Sequence, residues 1–234
     1  MLEVATAAGG WLAAPDVREL LGDYDLAPVG RVVHDPAAAA AAAGELGLPV
    51  AVKVADPDVV HKTDRGLVRV GLTSTDAVLA AVERFEAELG RTGGAVLVQP
   101  MISGVEVAVG ITRDPGFGPL VMVAAGGTAT DLLDDRAFLL PPVTAQDAAR
   151  AVRSLRIWPL LDGFRGQPRV DSAALEEVVV RLGQLAEDVP QIADVDLNPV
   201  LVGPDGCALV DVKVRLAGSL PIDAGIPRRL RRTP

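Results

Sequence analysis

Cysteine, lysine and aromatic residues are all scarce in this sequence of 234 residues. Cys207 is the single cysteine, so no internal disulfide can form and nothing indicates an oxidising compartment. Aromatic residues make up only 3%, so alanine, valine and leucine must build the core, for which 50% hydrophobic residues provide enough material. The longest stretch without charge, residues 115–130, contains two prolines and four glycines and is too short for a membrane-spanning helix.

A surplus of positive charge is absent as well. The formal net charge is −9, and because four arginines stand in the last seven positions, the rest of the chain carries −13. This balance argues against a general nucleic-acid binder, and the short basic end is typical of a solvated tail. No basic residue precedes Arg18, which makes the N-terminus a poor signal peptide. The sequence therefore predicts a cytoplasmic protein that acts neither on nucleic acid nor in a membrane.

Lysine is replaced by arginine almost everywhere. Only three of the 22 basic residues are lysines, namely Lys53, Lys62 and Lys213. A general preference for arginine explains the ratio, but it does not explain where the lysines remain. Since lysine offers a compact and mobile point charge that arginine cannot copy, these three positions are candidates for a site.

Residues 28–101 carry strand and helix signals in the order β-α-β-β-α-β. Asp35 and Pro36 form a helix start, and the alanine run that follows ends at Gly47. Apolar residues at helical spacing predict a second helix at 76–89. Strands are predicted at 31–33, 49–54, 68–72 and 95–98. The preceding residues 1–27 are predicted to form an adapter with a helix from Pro15 to about Tyr24.

Residues 102–217 have a different character, with glycine and proline turns between strands that favour an antiparallel sheet. Strands are predicted at 105–112, 120–125, 137–140, 195–197, 200–202 and 208–214, and helices at 145–154 and 173–188. A hairpin is expected around the turn at 203–206. The predicted fold class is α/β, in the α+β sense, with two subdomains that meet near residue 100 and a basic tail at 218–234.

Lys53 is a charged residue in an otherwise apolar predicted strand. Because an ammonium group without a partner is costly to bury, Lys53 should face an anion or a cleft, unless the strand lies at an edge and the side chain faces water. The following loop, His61–Gly66, combines imidazole, ammonium, hydroxyl and carboxylate groups. Such a combination of groups is typical of a catalytic or binding loop, although runs of this kind are more often ordinary solvated loops.

Weaker signals follow between and within the two subdomains. The segment Gln99–Met101 joins them, and a strand end in that place can hold a flat ligand through backbone hydrogen bonds. Glu106 lies in the next predicted strand, Arg113 directly follows that strand, and Gly126-Gly127 permits close backbone approach. Each of these features alone also fits a plain turn or a solvated charge.

The strongest local pattern is the run Asp196–Pro199 followed by Asp211, thirteen residues after Asn198. If the intervening turn forms a hairpin, Asn198 and Asp211 lie opposite each other on adjacent strands. An amide oxygen with one or two carboxylates is a hard-oxygen set that suits Mg²⁺ bound together with phosphate. A pair of turn-forming Asx residues explains the pattern equally well.

In this order the pieces resemble the ATP-grasp domain of the NDP-forming acyl-CoA synthetases, over residues 14–217. The resemblance implies an ATP-grasp fold, in which two α/β subdomains clamp ATP or ADP with Mg²⁺, and the transfer of a phosphoryl group between a phosphohistidine and the nucleotide. The segments that carry it are His61-Lys62-Thr63-Asp64, Thr112-Arg113-Asp114-Pro115 with Phe117-Gly118-Pro119, Leu140-Pro141-Pro142, Leu160–Gly166 and Asp196-Leu197-Asn198-Pro199.

The resemblance also implies roles for individual residues. His61 would be the catalytic residue that relays the phosphoryl group, and an imidazole, which is neutral and nucleophilic near pH 7, suits that task. Asn198 and Asp211 would hold Mg²⁺, with Asp196 close by. The residues implied in nucleotide binding are Lys53, Lys62, Gln99, Pro100, Met101, Glu106 and Arg113.

Two positions depart from the family pattern. A paired glycine usually follows Asp64, where this chain has Gly66 and then Leu67, and Asp131 stands where an acidic residue longer by one methylene is usual. A phosphate-cradling turn that lacks a glycine is less open to close backbone approach.

No glycine-rich dinucleotide fingerprint and no second Rossmann-like domain is present to bind CoA. The resemblance therefore implies a CoA-binding α subunit or a fused CoA-binding domain as partner, with this chain as a separate β subunit or as one piece of a fused synthetase. Two alternatives remain. One is a degenerate nucleotide-sensing module of a fused protein acetyltransferase, and the other is a carboxylate–amine ligase, against which the His61 loop argues.

Overall fold

Two antiparallel sheets organise the chain in a computed structural model that describes residues 9–56, 59, 62, 64–127 and 134–218. The strands are β1 (Gly10–Trp11), β2 (Arg31–Val33), β3 (Val50–Val54), β4 (Val68–Leu72), β5 (Val96–Pro100), β6 (Val105–Asp114), β7 (Gly118–Ala125), β8 (Arg136–Leu139), β9 (Ile192–Gly203), β10 (Gly206–Leu209) and β11 (Val212–Leu216). The smaller sheet has the order β2-β5-β3-β4 and the larger one β1-β11-β9-β6-β7-β8, with β10 paired to β9.

Helices cover one face of each sheet, which gives a small lobe and a large lobe with separate hydrophobic cores. The large lobe contains α1 (Ala14–Gly22), α4 (Ala145–Ser154), α5 (Trp158–Leu161) and α6 (Ser172–Asp188), and the small lobe contains α2 (Pro36–Leu46) and α3 (Thr75–Leu89). The start of α2 forms as predicted, because the side chain of Asp35 accepts a hydrogen bond from the Ala38 N–H at 2.7 Å. Thr144 and Asp147 form a capping box at the start of α4.

The predicted order of elements is confirmed in both halves, with two corrections in the C-terminal half. Residues 195–202, predicted as two strands, belong to the single strand β9. Residues 208–214, predicted as one strand, form two strands, because pairing stops at Val210-Asp211 between β10 and β11. The short strand β1 and the four-residue helix α5 were not predicted.

The adapter packs with the large lobe. Strand β1 pairs with β11, and α1 buries Val17, Leu20 and Leu21 in the core of the large lobe. The N-terminal residues 1–8 and the C-terminal residues 219–234 lie outside the described residues. Among the helices that are described, none is long and apolar enough to cross a membrane.

Candidate functional site

Lys53 projects from the face of the small sheet that lies away from the helices. Val50, Val52 and Val54 are buried in the core, so alternation along β3 turns Ala51 and Lys53 to the opposite face. Strand β3 lies between β5 and β4, and the side chain of Lys53 is only 19% exposed. The edge-strand alternative for Lys53 is therefore wrong, and its ammonium group has to find a partner.

That partner comes from the large lobe. The Lys53 Nζ donates to Asp211 Oδ1 at 2.9 Å and to the Val210 carbonyl at 3.2 Å. Both acceptors belong to the irregular segment between β10 and β11, which leaves the carboxylate outside the strand pairing. The side chain of Asp211 remains 44% exposed, so the ion pair closes the gap between the lobes without being sealed from solvent.

All three lysines of the chain act on this carboxylate. Burial raises the pKa of Asp211, but the positive charges of Lys53, Lys213 and Lys62 outweigh it and lower the pKa. The pKa of Lys62 is lowered, chiefly by burial and further by Lys53 and Lys213, while Asp211 opposes the shift. Three ammonium groups around Asp211 form a local positive region that can gather an anion on a chain of net charge −9.

Asp196 and Asn198 lie on the open face of the large sheet, which is the face that its helices do not cover. The alternating neighbours Val195 and Leu197 are buried, so Asp196 and Asn198 point to the opposite side of β9. The Asn198 N–H donates to the Asp211 carbonyl at 3.0 Å, which confirms that these two residues lie side by side. Asn198 stands within a strand of 12 residues rather than in a turn, so the Asx-turn alternative does not apply to it.

The donors at this corner fit Mg²⁺. Asp196 lies opposite Lys213 on β11, and its pKa is raised because burial outweighs the neighbouring ammonium group. Over the described part of the chain, no group of three histidine, cysteine, aspartate or glutamate residues could hold a metal ion. Two carboxylates and the Asn198 amide suffice for Mg²⁺, because this ion takes oxygen ligands and is usually held by one or two carboxylates together with phosphate oxygens.

Glu106 stands on the same open face, on β6, where it pairs with Leu201 of β9. The Gly126 N–H donates to the Glu106 carbonyl at 3.0 Å. The Glu106 carboxylate fills the space that a side chain on Gly127 would need, and Gly127 has a φ of +68°. The glycine pair therefore does permit a close approach, and the approaching group in this structure is Glu106.

The segment Gln99–Met101 connects the lobes, but the Gln99 side chain does not face open space. It is 2% exposed, and its Nε2 donates to the carbonyls of Val29 and Val210 at 2.9 and 2.8 Å. The Met101 N–H donates to the Pro49 carbonyl, directly before β3, at 3.1 Å, and the Met101 side chain is 47% exposed. The hinge thus presents backbone groups and the apolar Met101 side chain to solvent, while the side chain of Gln99 joins the small lobe to the large lobe.

Arg113 lies apart from the other residues that the resemblance groups with it. It follows Glu106 by seven positions on β6, or roughly 23 Å at 3.3 Å per residue. Its guanidinium donates to the Ile192 carbonyl at 2.6 Å and to the Pro190 carbonyl, and so secures the connection between α6 and β9. The structure therefore does not bring Arg113 together with Lys53, Asp211 and Glu106.

The loop after β3 is described only in part, and His61, Thr63 and Asp131 lie outside the described residues. Leu67, which stands where the family pattern has a glycine, is fully buried in the core of the small lobe. Its N–H donates to the Lys62 carbonyl at 2.8 Å. The side chain of Leu67 therefore points inward and takes no space from the cleft.

Two residues of this region escaped sequence reasoning. The sequence marks Lys213 only as one of three lysines and indicates no role for it, whereas the structure places it opposite Asp196. Leu201 is half-buried beside Glu106 and carries no chemical signal in the sequence, because an apolar residue in a strand is ordinary. The pairing register alone reveals that both lie on the open face.

Comparison with known proteins agrees with this geometry. A family model described as an ATP-grasp domain matches residues 3–216. The chain is 31% identical over 226 residues to the β subunit of acetate–CoA ligase [ADP-forming] I of Pyrococcus furiosus, covering 92% of this chain and 96% of that subunit. It is 34% identical over 223 residues to acetate–CoA ligase [ADP-forming] I of Archaeoglobus fulgidus. That match covers 92% of this chain and 32% of the Archaeoglobus protein.

Solved structures give the same result. The dinucleotide-forming acetyl-coenzyme A synthetase 1 of Ca. Korarchaeum cryptofilum, in complex with coenzyme A, Ca-AMPCP and HgCl⁺, superposes with a TM-score of 0.83 at 32% identity, covering 92% of this chain and 97% of that one. A second structure of that enzyme, with coenzyme A and Mg-AMPPCP, has a TM-score of 0.80 at 32% identity and the same coverage. Its phosphohistidine segment points towards the nucleotide binding site.

Proposed function

The chain belongs to the ATP-grasp family, and from this premise we propose that it is the nucleotide-binding component of an ADP-forming acyl-CoA synthetase, of the acetate–CoA ligase type. The observation that carries the proposal is the meeting of the two lobes at Asp211. There the carboxylate is paired with Lys53 and lies beside Asn198. A nucleotide between the lobes would find positive charge for its phosphates and oxygen ligands for their metal ion at one point.

In the proposed reaction the terminal phosphate oxygen of ADP attacks a phosphohistidine. The N–P bond breaks as the new P–O bond forms, and the imidazole is released with a proton from solvent, so ADP becomes ATP. Lys53 and Lys62 hold and orient the phosphate oxygens, since their charges offset the charge carried by the phosphates. Asn198, Asp211 and Asp196 would hold Mg²⁺, which would supply further compensation for the negative charge of the phosphates.

The other nucleotide contacts are proposed from their places around the cleft. Glu106 lies on the open face for contact with the ribose, and the backbone of Gln99, Pro100 and Met101 forms the edge at which the adenine is held. The role of His61, which lies outside the described residues, is proposed from the resemblance alone. A nitrogen of His61 attacks the partner's phosphohistidine, so that one N–P bond forms as the other breaks, and ADP then attacks the phosphorylated His61. Arg113 is not part of this proposed site, because its guanidinium is bound to backbone carbonyls at the far end of β6.

A partner completes the proposed enzyme. The Pyrococcus furiosus relative is named as a β subunit, whereas the Archaeoglobus fulgidus relative is about three times as long as the part that this chain matches. We therefore propose that a CoA-binding α subunit or a fused CoA-binding domain works with this chain in the cytoplasm. That partner carries the acyl-CoA chemistry and the phosphohistidine.

The experiment is replacement of His61 with the CoA-binding partner present. His61→Ala should abolish acid- and CoA-dependent formation of ADP from ATP. His34→Ala is the matched control, because His34 is the only other histidine and lies exposed before α2. Unchanged turnover of the His61 variant would refute the relay. A requirement for an amine in place of CoA would instead indicate a carboxylate–amine ligase, and nucleotide binding without phosphate exchange would indicate a sensor.

A further inference from the structure

The side chain of Gln99 makes contacts that nucleotide binding does not explain. Both N–H groups of its amide are engaged, one by the Val29 carbonyl at 2.9 Å and the other by the Val210 carbonyl at 2.8 Å. Because carbonyl oxygens only accept hydrogen bonds, the amide nitrogen must be the end that faces them. Val29 and Val210 lie 181 positions apart in the chain, so one buried amide ties together two distant segments.

These segments run side by side at the junction of the lobes. The Val29 N–H donates to the Leu209 carbonyl at 3.0 Å, directly before the segment that Gln99 holds. The Val210 carbonyl also accepts from the Lys53 Nζ at 3.2 Å, so donors from both β3 and β5 fix it. Since a peptide unit is planar, fixing this carbonyl also orients the peptide that leads into Asp211.

The local backbone is shaped to admit the Gln99 side chain. Gly30 has a φ of +102°, and a Cβ atom built there would lie 2.4 Å from the Val98 carbonyl oxygen and 2.7 Å from the Gln99 Cγ. A side chain at position 30 would therefore push Gln99 out of its path to the two carbonyls. The adjacent hinge residues are those proposed to hold the adenine, so Gln99 connects the adenine end of the cleft with the metal end.

We propose that the side chain of Gln99 is a positioning residue, which holds the Val210-Asp211 segment of the large lobe in the place where Asp211 and Lys53 receive the metal-bound phosphates. This proposal rests on the proposed nucleotide function. It assigns Gln99 an effect on the phosphate and metal end of the ligand, although the residue stands at the adenine end.

The test compares two ligands by calorimetry on the full chain. AMP probes the adenine end, and Mg·ATP also probes the metal end. Gln99→Met keeps the length of the side chain and removes both hydrogen bonds. We expect the Kd of Mg·ATP to rise about tenfold, which is the effect of roughly one neutral hydrogen bond, with less than a twofold change for AMP. Equal weakening for both ligands, or no weakening for either, would overturn the proposal.

A second variant supplies a pH signature that a merely structural role would not produce. In Gln99→Glu the ionised carboxylate repels the Val29 and Val210 carbonyl oxygens, and it also attracts the Lys53 ammonium group, which shares the Val210 carbonyl, away from the phosphates. Protonation removes both effects, and the acid can again donate to one of the carbonyls. The ratio of its Mg·ATP Kd to that of the unmodified chain should therefore fall as the pH falls, and the Met variant should show no such recovery. A ratio that does not change with pH would contradict the positioning role.

Arg181→Met serves as the matched control, because Arg181 also bridges distant segments by donating to the Tyr24 carbonyl at 3.0 Å, away from the cleft. It should lower thermal stability and leave both Kd values unchanged. The proposed function and the positioning role fail differently. If the unmodified chain bound neither AMP nor Mg·ATP, both would be refuted, whereas normal binding that Gln99→Met does not alter would refute only the positioning role.

Discussion

Replacing Lys53 by methionine tests the charge arrangement most directly, because the variant keeps the apolar stem and removes only the ammonium group. A charged hydrogen bond is worth about 1.5–3 kcal/mol net of desolvation. Lys53 already has Asp211 as a partner at 2.9 Å, and that carboxylate is 44% exposed, so the gain on binding a phosphate belongs at the low end of this range. About 1.5–2 kcal/mol corresponds to a Kd for Mg·ADP that is roughly 10- to 30-fold higher.

Calorimetric titration of Mg·ADP into the full chain measures this loss, and Arg31→Met is the matched control. Arg31 lies in the same sheet and pairs with Glu45 at the surface, so its replacement changes the net charge by the same amount. We expect the control to change the Kd less than twofold at 0.15 M salt, where long-range attraction is screened. Equal weakening in both variants would mean that overall charge matters and not the position of Lys53, which would refute the reasoning.

Three further predictions concern the same region. Asp196→Asn should raise the melting temperature at pH 7 and weaken Mg·ADP binding. Burial raises the pKa of Asp196 above its value in the unfolded chain, so ionisation of this carboxyl lowers the stability of the folded protein above about pH 4. The difference in melting temperature between the two proteins should therefore vanish when the pH falls below that value. Gly127→Ala and Gly90→Ala should each lower the free energy of unfolding by about 1–2 kcal/mol, since both glycines have φ near +65°. Only the alanine at position 127 displaces Glu106, so only this variant should bind nucleotide more weakly. Equal nucleotide binding by both variants would contradict the packing argument. Leu67→Ala should lower the free energy of unfolding by about 3–5 kcal/mol in urea titration, because Leu67 is fully buried, and a loss below about 1 kcal/mol would mean that it is not a core residue.

The local structure of this chain follows from its sequence because the signals are short in range. The Asp35 cap, the Gly47 stop and the alternation of Val50, Val52 and Val54 each act within one element. The ordered set of motifs was also sufficient to indicate the ATP-grasp family, which the family model confirms over residues 3–216. The interruption of strand pairing at Val210-Asp211 was not predicted, because nothing in the apolar run at 208–210 marks where the pairing ends.

The composition of the site was visible in the sequence, whereas its assembly was decided by the tertiary structure. The sequence alone determines that only three lysines are present, and it predicts that Asn198 and Asp211 pair as oxygen donors if a hairpin closes between them. Only the pairing of β9 with β11, and the packing of the small lobe against the segment between β10 and β11, brings Lys53 to Asp211 across 158 positions. The same packing buries Gln99, whereas the pairing of β6 with β9 within the large lobe leaves Arg113 at the far end of β6. The physical reason is that the position of a side chain in a cleft depends on strand register and on contacts between lobes, which residues distant in the chain determine together.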